Sequence, residues 1–104
     1  MPEGTYHFPR GFLWGSATAA HQVEGNNTNN NWYRWERTPG KIINNEKSGQ
    51  ACDWWDGNWK EDLTRAKESG QNAHRLSIEW SRIQPTQETW DDNTLYKYVE
   101  MVRW

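Results

Sequence analysis

The sequence predicts an α/β protein with a parallel sheet, and the order of its elements supports this fold class. Two short apolar segments with strand character alternate with two longer segments whose apolar residues recur every three or four positions, as in helices. In a strand, helix, strand, helix order, neighbouring strands run parallel and the helices cover the sheet. Two parallel strands alone have bare edges and an uncovered face, so we expect further strands from polypeptide outside these 104 residues.

The first predicted strand covers about residues 12–18. It begins with large apolar residues and ends with small ones, which is typical of a buried strand that is closely approached by another segment. The Asn-rich residues 25–31 are predicted to form a loop, and residues 32–35 a short helical turn. Pro39-Gly40 indicates a turn after them.

The first long helix is predicted over about residues 54–69, with Asp53 as its N-cap. Its apolar positions follow helical spacing and form one face: Trp55, Trp59, Leu63 and Ala66. Packing of this face against the sheet explains the Trp residues better than a surface that binds sugars. Gly70 stands where a left-handed residue ends a helix.

The second strand is predicted over about residues 72–78. Because side chains alternate along a strand, Arg75 and Ser77 share one face, while His74, Leu76 and Ile78 share the other.

The last helix is predicted over about residues 92–104, capped by one of its two leading Asp residues. Its apolar face is expected to hold Leu95, Tyr98 or Val99, and Val102. No Gly or Pro stop signal precedes Trp104, so we expect the helix and the domain to continue beyond it.

The composition excludes several classes of protein. Hydrophobic residues make up 34% of the chain, and nine residues are Trp. The net charge is −2 with acidic and basic residues interspersed, so no basic stripe for nucleic acid is present. No apolar run approaches the roughly 20 residues of a membrane span, and no secretory leader is evident, so a cytoplasmic protein is expected. Neither a metal site nor a cofactor is predicted, because Cys52 is alone and the His residues lack partners at ligand spacing.

Three stretches, in order, resemble glycoside hydrolase family 1. The first is Phe12-Leu13-Trp14-Gly15-Ser16-Ala17-Thr18 leading into Gln22-Val23-Glu24-Gly25. The second contains Trp32, Arg37-Thr38-Pro39-Gly40-Lys41-Ile42, Ala51-Cys52-Asp53 and Glu61-Asp62. The third is Arg75-Leu76-Ser77-Ile78-Glu79-Trp80-Ser81-Arg82-Ile83. The chain departs from the family's usual residues at Gln71, His74 and Leu76.

The resemblance implies a retaining β-glycosidase, similar to β-glucosidases, built on a (β/α)8 TIM barrel. Residues 1–104 are then an N-terminal portion of one barrel domain and hold its first two βα units. The implied substrate is a β-linked glucoside or galactoside, and the implied partner is the remaining C-terminal part of the barrel. Active sites of such barrels lie at the carboxyl ends of the strands.

Two residues match family residues that act in the active site. Gln22 resembles the residue that hydrogen-bonds sugar hydroxyls in the first subsite, since an amide both donates and accepts. Arg75 resembles the arginine that pairs with the nucleophilic carboxylate and keeps it ionised. The alternatives are a Gln bonded to loop backbone and an Arg in a structural ion pair.

Structural roles are favoured for the other candidates. Glu24 is expected to bond within its loop, and no direct role is expected for Glu79. Trp80 is expected to pack at the end of the strand, His74 to be a packed core histidine and Cys52 an inert buried thiol.

Both catalytic carboxylates are absent from the chain. Retaining glycosidases need two carboxyl groups about 5–5.5 Å apart. In the family these belong to an Asn-Glu-Pro and a Glu-Asn-Gly motif, and neither tripeptide occurs here. The chain alone is therefore predicted to be inactive. The alternative hypothesis is a non-catalytic carbohydrate-binding or interaction module, which the nine Trp residues suggest because aromatic rings stack on sugars.

Overall fold

A computed structural model describes residues 4–104, so the first three residues of the predicted domain lie outside the described part. Two strands, β1 (Gly15–Ala17) and β2 (Ala73–Arg75), pair in parallel. In their register Gly15 faces Ala73 and Ala17 faces Arg75. The parallel pair and the helices that separate its strands confirm the α/β class.

Both strands are shorter than the predicted ranges 12–18 and 72–78. Beyond them, side chains make some of the bonds between the two segments, as in the bond from Ala20 N to Ser77 Oγ. Asn72 accepts a hydrogen bond from the Trp14 backbone N–H through Oδ1, at 2.7 Å. At the other end Thr18 N donates to Arg75 O at 3.0 Å, which is the last bond of the ladder.

Gly15 is required by the close approach of the two strands. A Cβ atom at this position would lie 2.5 Å from the carbonyl oxygen of Ala73, far inside contact distance. The change from large to small residues along the first strand therefore reflects backbone packing, as the sequence predicted.

The predicted helix over residues 54–69 is broken in two. A single 3₁₀ turn covers Trp54–Asp56, and the helix α3 follows at Trp59–Glu68. The break arises because Gly57 adopts a φ of 111° between the two parts. Asp53 does not cap a helix through its side chain and itself has a φ of 56°, so the predicted N-cap is wrong.

The ends of the other helices follow standard capping chemistry. Gly70, with a φ of 97°, ends α3 as predicted. Asn30 caps α2 (Asn31–Arg37) by accepting from Tyr33 N at 2.9 Å. Asp91 caps the last helix, α5 (Asp92–Arg103), because its Oδ1 accepts from Thr94 N at 3.1 Å. Two four-residue helices, α1 (Ala20–Val23) and α4 (Trp80–Ile83), follow β1 and β2 respectively.

One hydrophobic core joins the helices to the outer face of the strands. Its buried members come from α1, the 3₁₀ turn, α3, α4 and α5: Val23, Trp54, Trp59, Ile83, Tyr98 and Met101. Leu95 and Tyr98 contribute as predicted. Val102 was expected on the apolar face but is 71% exposed. Met101 is buried in its place, because the helix directs Met101 toward the core.

Trp55 packs at the edge of this core between two cations. The guanidinium of Arg82 lies 4.1 Å and the ammonium of Lys97 4.4 Å from the centroid of its ring. Lys97 also donates to the Trp55 carbonyl oxygen at 2.7 Å. Each contact is of the cation–π type, which is strongest where water is excluded.

The elements form an open arc. The Cα radius of gyration is 17.7 Å, whereas a compact domain of this length has about 13 Å. The accessible surface is 8372 Å², against about 6,100 Å² for a compact monomer of this mass. Large apolar side chains on several elements remain exposed, among them Phe12, Leu13, Trp14, Ile78, Trp80 and Val102. The arc therefore presents apolar faces that its own residues leave uncovered.

Candidate functional site

The carboxyl ends of β1 and β2 lie at one edge of the parallel pair, and both predicted site residues belong to this edge. Gln22 lies in α1, which begins two residues after the ladder ends at Thr18. Arg75 is the last residue of β2. Polar side chains that follow neighbouring parallel strands gather at the edge where binding sites of α/β proteins lie.

Gln22 is the exposed member of a segment whose other residues are held. Ala20 N donates to Ser77 Oγ at 2.6 Å, and Val23 is buried in the core. Glu24 is buried as well. Within residues 4–104 the Gln22 side chain makes no hydrogen bond, so its amide is presented toward solvent.

Arg75 lies on the face of the sheet that points away from the helices. Its neighbour His74 points toward them, since its ring centroid lies 6.1 Å from that of Trp54. Leu76 packs against the helical core. Alternation places Arg75 on the opposite face. The guanidinium is exposed, and no carboxylate in the described chain forms an ion pair with it.

Glu24 is the centre of a buried polar network behind this edge. Its side chain is 2% exposed, and its Oε1 lies 3.2 Å from Arg82 Nε. The same oxygen accepts from Asn27 Nδ2 at 3.1 Å, and Oε2 accepts from the Tyr98 hydroxyl. Tyr98 in turn accepts from Glu79 N at 3.0 Å. The network joins the loops after both strands to α5, so Glu24 bonds to Arg82 and Tyr98 as well as to Asn27 within its own loop.

Burial dominates the electrostatics of this network. Desolvation raises the pKa of Glu24, and the hydrogen bonds from Tyr98 and Asn27 and the charge of Arg82 oppose the rise only in part. Desolvation, together with the neighbouring Glu24 carboxylate, also raises the pKa of Tyr98 far above its usual range. Tyr98 is therefore a permanent hydrogen-bond donor to Glu24.

A second polar cluster, which sequence reasoning missed, surrounds His21 in α1. The His21 Nε2 atom lies 3.2 Å from Glu36 Oε2 and 3.0 Å from Ser48 Oγ, while Nδ1 lies 3.1 Å from Asn30 Nδ2. The side chains of His21 and Glu36 are only 13% and 10% exposed. Asn30 also donates to Glu79 Oε2 at 3.1 Å.

The charge of Glu36 is stabilised by its neighbours. Desolvation raises the pKa of its carboxyl group, but hydrogen bonds from the Ser48 backbone, from His21 and from the Ser48 hydroxyl outweigh it, so the net change lowers the pKa. Glu36 is thus an anion that accepts three hydrogen bonds at neutral pH.

The remaining candidates show mixed outcomes. His74 is half-buried and bonds to Ser16 Oγ at 3.2 Å and Thr18 Oγ1 at 3.1 Å, which fits a packed structural histidine. Trp80 does not pack at the strand end. It is 73% exposed, and its indole N–H donates to Gln84 in its own helix. Cys52 is exposed, so the expected buried thiol is wrong, because its loop lies outside the core.

Neither a metal site nor a membrane span is found in the described part of the chain. No three His, Cys, Asp or Glu residues among residues 4–104 are grouped so that they could hold a metal ion. None of the helices in that range is long and apolar enough to cross a bilayer.

Comparison with known proteins decides the family. The sequence model of glycosyl hydrolase family 1 matches residues 5–99 of the chain. The chain belongs to glycosyl hydrolase family 1. The chain is 41% identical over 83 residues to Beta-glucosidase A of Thermotoga maritima. This alignment covers 75% of this chain and 18% of that relative.

Solved structures of family members share the fold. The AHE enzyme from Alicyclobacillus herbarius superposes with a TM-score of 0.83 at 33% identity, covering 97% of this chain and 24% of that one. A GH1 beta-glucosidase from the fungus Humicola insolens in complex with glucose superposes with a TM-score of 0.77 at 37% identity. That match covers 88% of this chain and 21% of the fungal one. The chain is therefore part of a family 1 TIM barrel and spans about a fifth of the length of these relatives.

Proposed function

We propose that this chain is the N-terminal arc of a retaining β-glycosidase that hydrolyses β-glucosides or β-galactosides. In this proposal the arc contributes the first two βα units, with Gln22 as a sugar-binding residue and Arg75 as support for the nucleophile. The observation that carries the proposal is that two free polar side chains stand at the carboxyl edge of two parallel strands in a family 1 chain. The catalytic carboxylates belong to the downstream barrel.

Gln22 suits a sugar hydroxyl because its amide offers both a donor and an acceptor. The residues on either side of it are engaged, so the exposed amide has no competing role within the described residues. A bound sugar hydroxyl could therefore pair with both the donor and the acceptor of the amide.

Arg75 suits a carboxylate for a complementary reason. Its guanidinium lies on the face of the sheet that is turned away from the helices, and it has no ion-pair partner among residues 4–104. A cation beside the nucleophile favours its ionised form and lowers its pKa by about 1–3 units. The nucleophile then remains an anion at the pH at which it attacks the anomeric carbon.

The test is a hybrid barrel, in which residues 4–104 of this chain replace the corresponding N-terminal segment of Beta-glucosidase A from Thermotoga maritima. We expect it to hydrolyse an aryl β-glucoside with retention of configuration, measured by release of the phenol and by NMR of the first-formed anomer. A folded hybrid that gives no turnover would contradict the proposal.

Two substitutions in the hybrid separate the two roles. Gln22→Ala removes hydrogen bonds to the sugar and is expected to cost about 1–3 kcal/mol, or roughly 5- to 150-fold in kcat/KM. Arg75→Ala is expected to move the acidic limb of the kcat/KM pH profile upward by about 1–3 units. Arg65→Ala is the matched control, because Arg65 pairs with Asp62 on the outer surface of α3. An unshifted acidic limb in Arg75→Ala would remove its assigned role.

A second candidate function is a non-catalytic carbohydrate-binding module. Exposed indole rings favour it, and Trp32 and Trp35 lie on α2, where no residue is buried. Its test is a titration of the 104-residue chain with cello-oligosaccharides, monitored by Trp fluorescence. Saturable binding that is lost in Trp32→Ala and Trp35→Ala would support the module. Absence of binding together with activity of the hybrid would support the glycosidase.

A further inference from the structure

The segment that carries Gln22 has no stability of its own. The helix α1 has only four residues, its N-cap Ala19 makes no side-chain cap, and isolated turns of this length do not persist in water. The direction of the Gln22 amide must therefore be set by tertiary contacts of the neighbouring residues.

The cluster around His21 provides such contacts. Asn30 fixes the orientation of the cluster, because its Oδ1 accepts from Tyr33 N while its Nδ2 reaches both His21 Nδ1 and Glu79 Oε2. The amide nitrogen can only donate, so Nδ1 of His21 is the acceptor and Nε2 carries the proton.

The neutral Nε2–H tautomer satisfies every remaining member of the cluster. The Nε2–H group of His21 points at Glu36 Oε2 and Ser48 Oγ, at 3.2 and 3.0 Å. The Ser48 hydroxyl then donates to Glu36 Oε1 at 3.2 Å. A proton on Nδ1 would face the Asn30 amide as donor against donor, so the Nε2–H tautomer is the one that matches the contacts of the ring.

The cluster connects the loops that follow the two strands. His21 follows β1, whereas Glu79 follows β2 and is itself held by Ser81 Oγ at 2.8 Å. Asn30 bridges His21 to Glu79, and Glu36 and Ser48 anchor the ring from the other side. The residue next to Gln22 is thus fixed to both loops of the candidate site.

We propose that His21 is a positioning residue for Gln22, and that it acts through a buried clamp formed with Asn30, Glu36, Ser48 and Glu79. The inference rests on the proposed function, since it assumes that Gln22 binds the sugar. The clamp aims the Gln22 amide by immobilising the preceding side chain. His21 itself touches no substrate atom.

The test is a double-mutant cycle on kcat/KM in the hybrid barrel, with an aryl β-glucoside as substrate. His21→Phe keeps a ring but removes both hydrogen-bonding atoms, and Asn30→Asp keeps the helix cap but removes the donor to His21 and Glu79. Each is expected to lower kcat/KM by roughly 5- to 20-fold. In a Gln22→Ala background each should change it by less than about twofold, because the group being aimed is gone.

The matched control is His74→Phe, since His74 is a half-buried histidine that bonds to two hydroxyl groups on the helix-facing side of the sheet, opposite Arg75. It should lower the melting temperature and leave kcat/KM within about twofold in both backgrounds. Additive losses for His21→Phe or Asn30→Asp would overturn the clamp and leave the role of Gln22 standing. If Gln22→Ala alone has no effect on kcat/KM, the proposed function of Gln22 and the clamp both fail. Should His21→Phe not fold, the nearly isosteric Asn30→Asp decides the question.

Discussion

Removing Arg82 should destabilise the candidate site more than removing the charge of Glu24. Arg82 compensates a carboxylate that is 2% exposed, at 3.2 Å, and also bonds to Asn27 and the Gly25 carbonyl. Loss of one partner of a buried pair typically costs about 3–5 kcal/mol, because the other charge stays buried. Glu24→Gln keeps the shape and loses charge-assisted bonds, so it should cost only about 1–3 kcal/mol.

The assay is native-state hydrogen exchange of the hybrid barrel, followed on peptides that cover residues 20–30 and 92–103. Arg82→Leu should raise the local opening equilibrium by more than about 100-fold. In a Glu24→Gln background the same change should cost much less, since no buried anion remains. Equal and additive costs for the two substitutions would show that Arg82 does not act by compensating the buried charge of Glu24.

The pH dependence of Arg82→Leu gives an independent check. Burial raises the folded-state pKa of Glu24 above its usual 4.5. A group with a raised folded pKa contributes stability that is present below its unfolded pKa and is lost as the pH rises through its folded pKa. Without Arg82 the folded pKa rises further, so the cost of Arg82→Leu should be smaller at pH 5 than at pH 8.

Three further predictions concern single contacts, each measured in the hybrid barrel. Gly15→Ala should lower the melting temperature by the equivalent of about 1–3 kcal/mol, because the added Cβ would lie 2.5 Å from the Ala73 carbonyl oxygen. Gly4→Ala is the control and should have no effect, since no atom lies within 4 Å of the added Cβ. Asp91→Ala should cost about 1 kcal/mol and increase hydrogen exchange in the first turn of α5. Because the pKa of Glu36 is lowered in the folded state, its carboxylate contributes stability above its unfolded pKa, and this stability is lost as the pH falls through the folded pKa. The melting temperature of Glu36→Gln should therefore fall less than that of the parent hybrid when the pH is lowered.

The order of the elements could be predicted because it depends on local patterns. Helical spacing of apolar residues located α3 and α5, and Gly70 marked the end of α3. The start of α3 could not be predicted, since the left-handed Gly57 decides it and a glycine inside a helical pattern is also tolerated. The start of α3 therefore depends on the backbone conformation of Gly57, which the spacing of apolar residues does not indicate.

The candidate site was only partly readable for a related reason. Gln22 and Arg75 were found through resemblance to a family, and their placement at one edge follows from parallel pairing. The clamp around His21 joins residues 58 positions apart along the chain, from His21 to Glu79, so it becomes visible only when the loops are folded together. Its one sequence signal was the presence of polar residues, such as Glu36, beside aromatic ones in α2.

The same limit explains the errors at the surface. Trp80 and Cys52 were expected to be buried on residue type alone. Their exposure depends on which faces the arc leaves uncovered, and that depends on polypeptide with which those faces pack. Apolar residues at such faces are typical of surfaces that meet other protein.

A crystal structure of the hybrid barrel with bound glucose tests the central claim most directly. In that structure the Gln22 amide should lie within about 3.2 Å of a sugar hydroxyl, and the Arg75 guanidinium should lie within about 4 Å of the carboxylate on the host's nucleophile strand. A folded barrel in which glucose sits elsewhere, or in which Arg75 points away from that carboxylate, would contradict it.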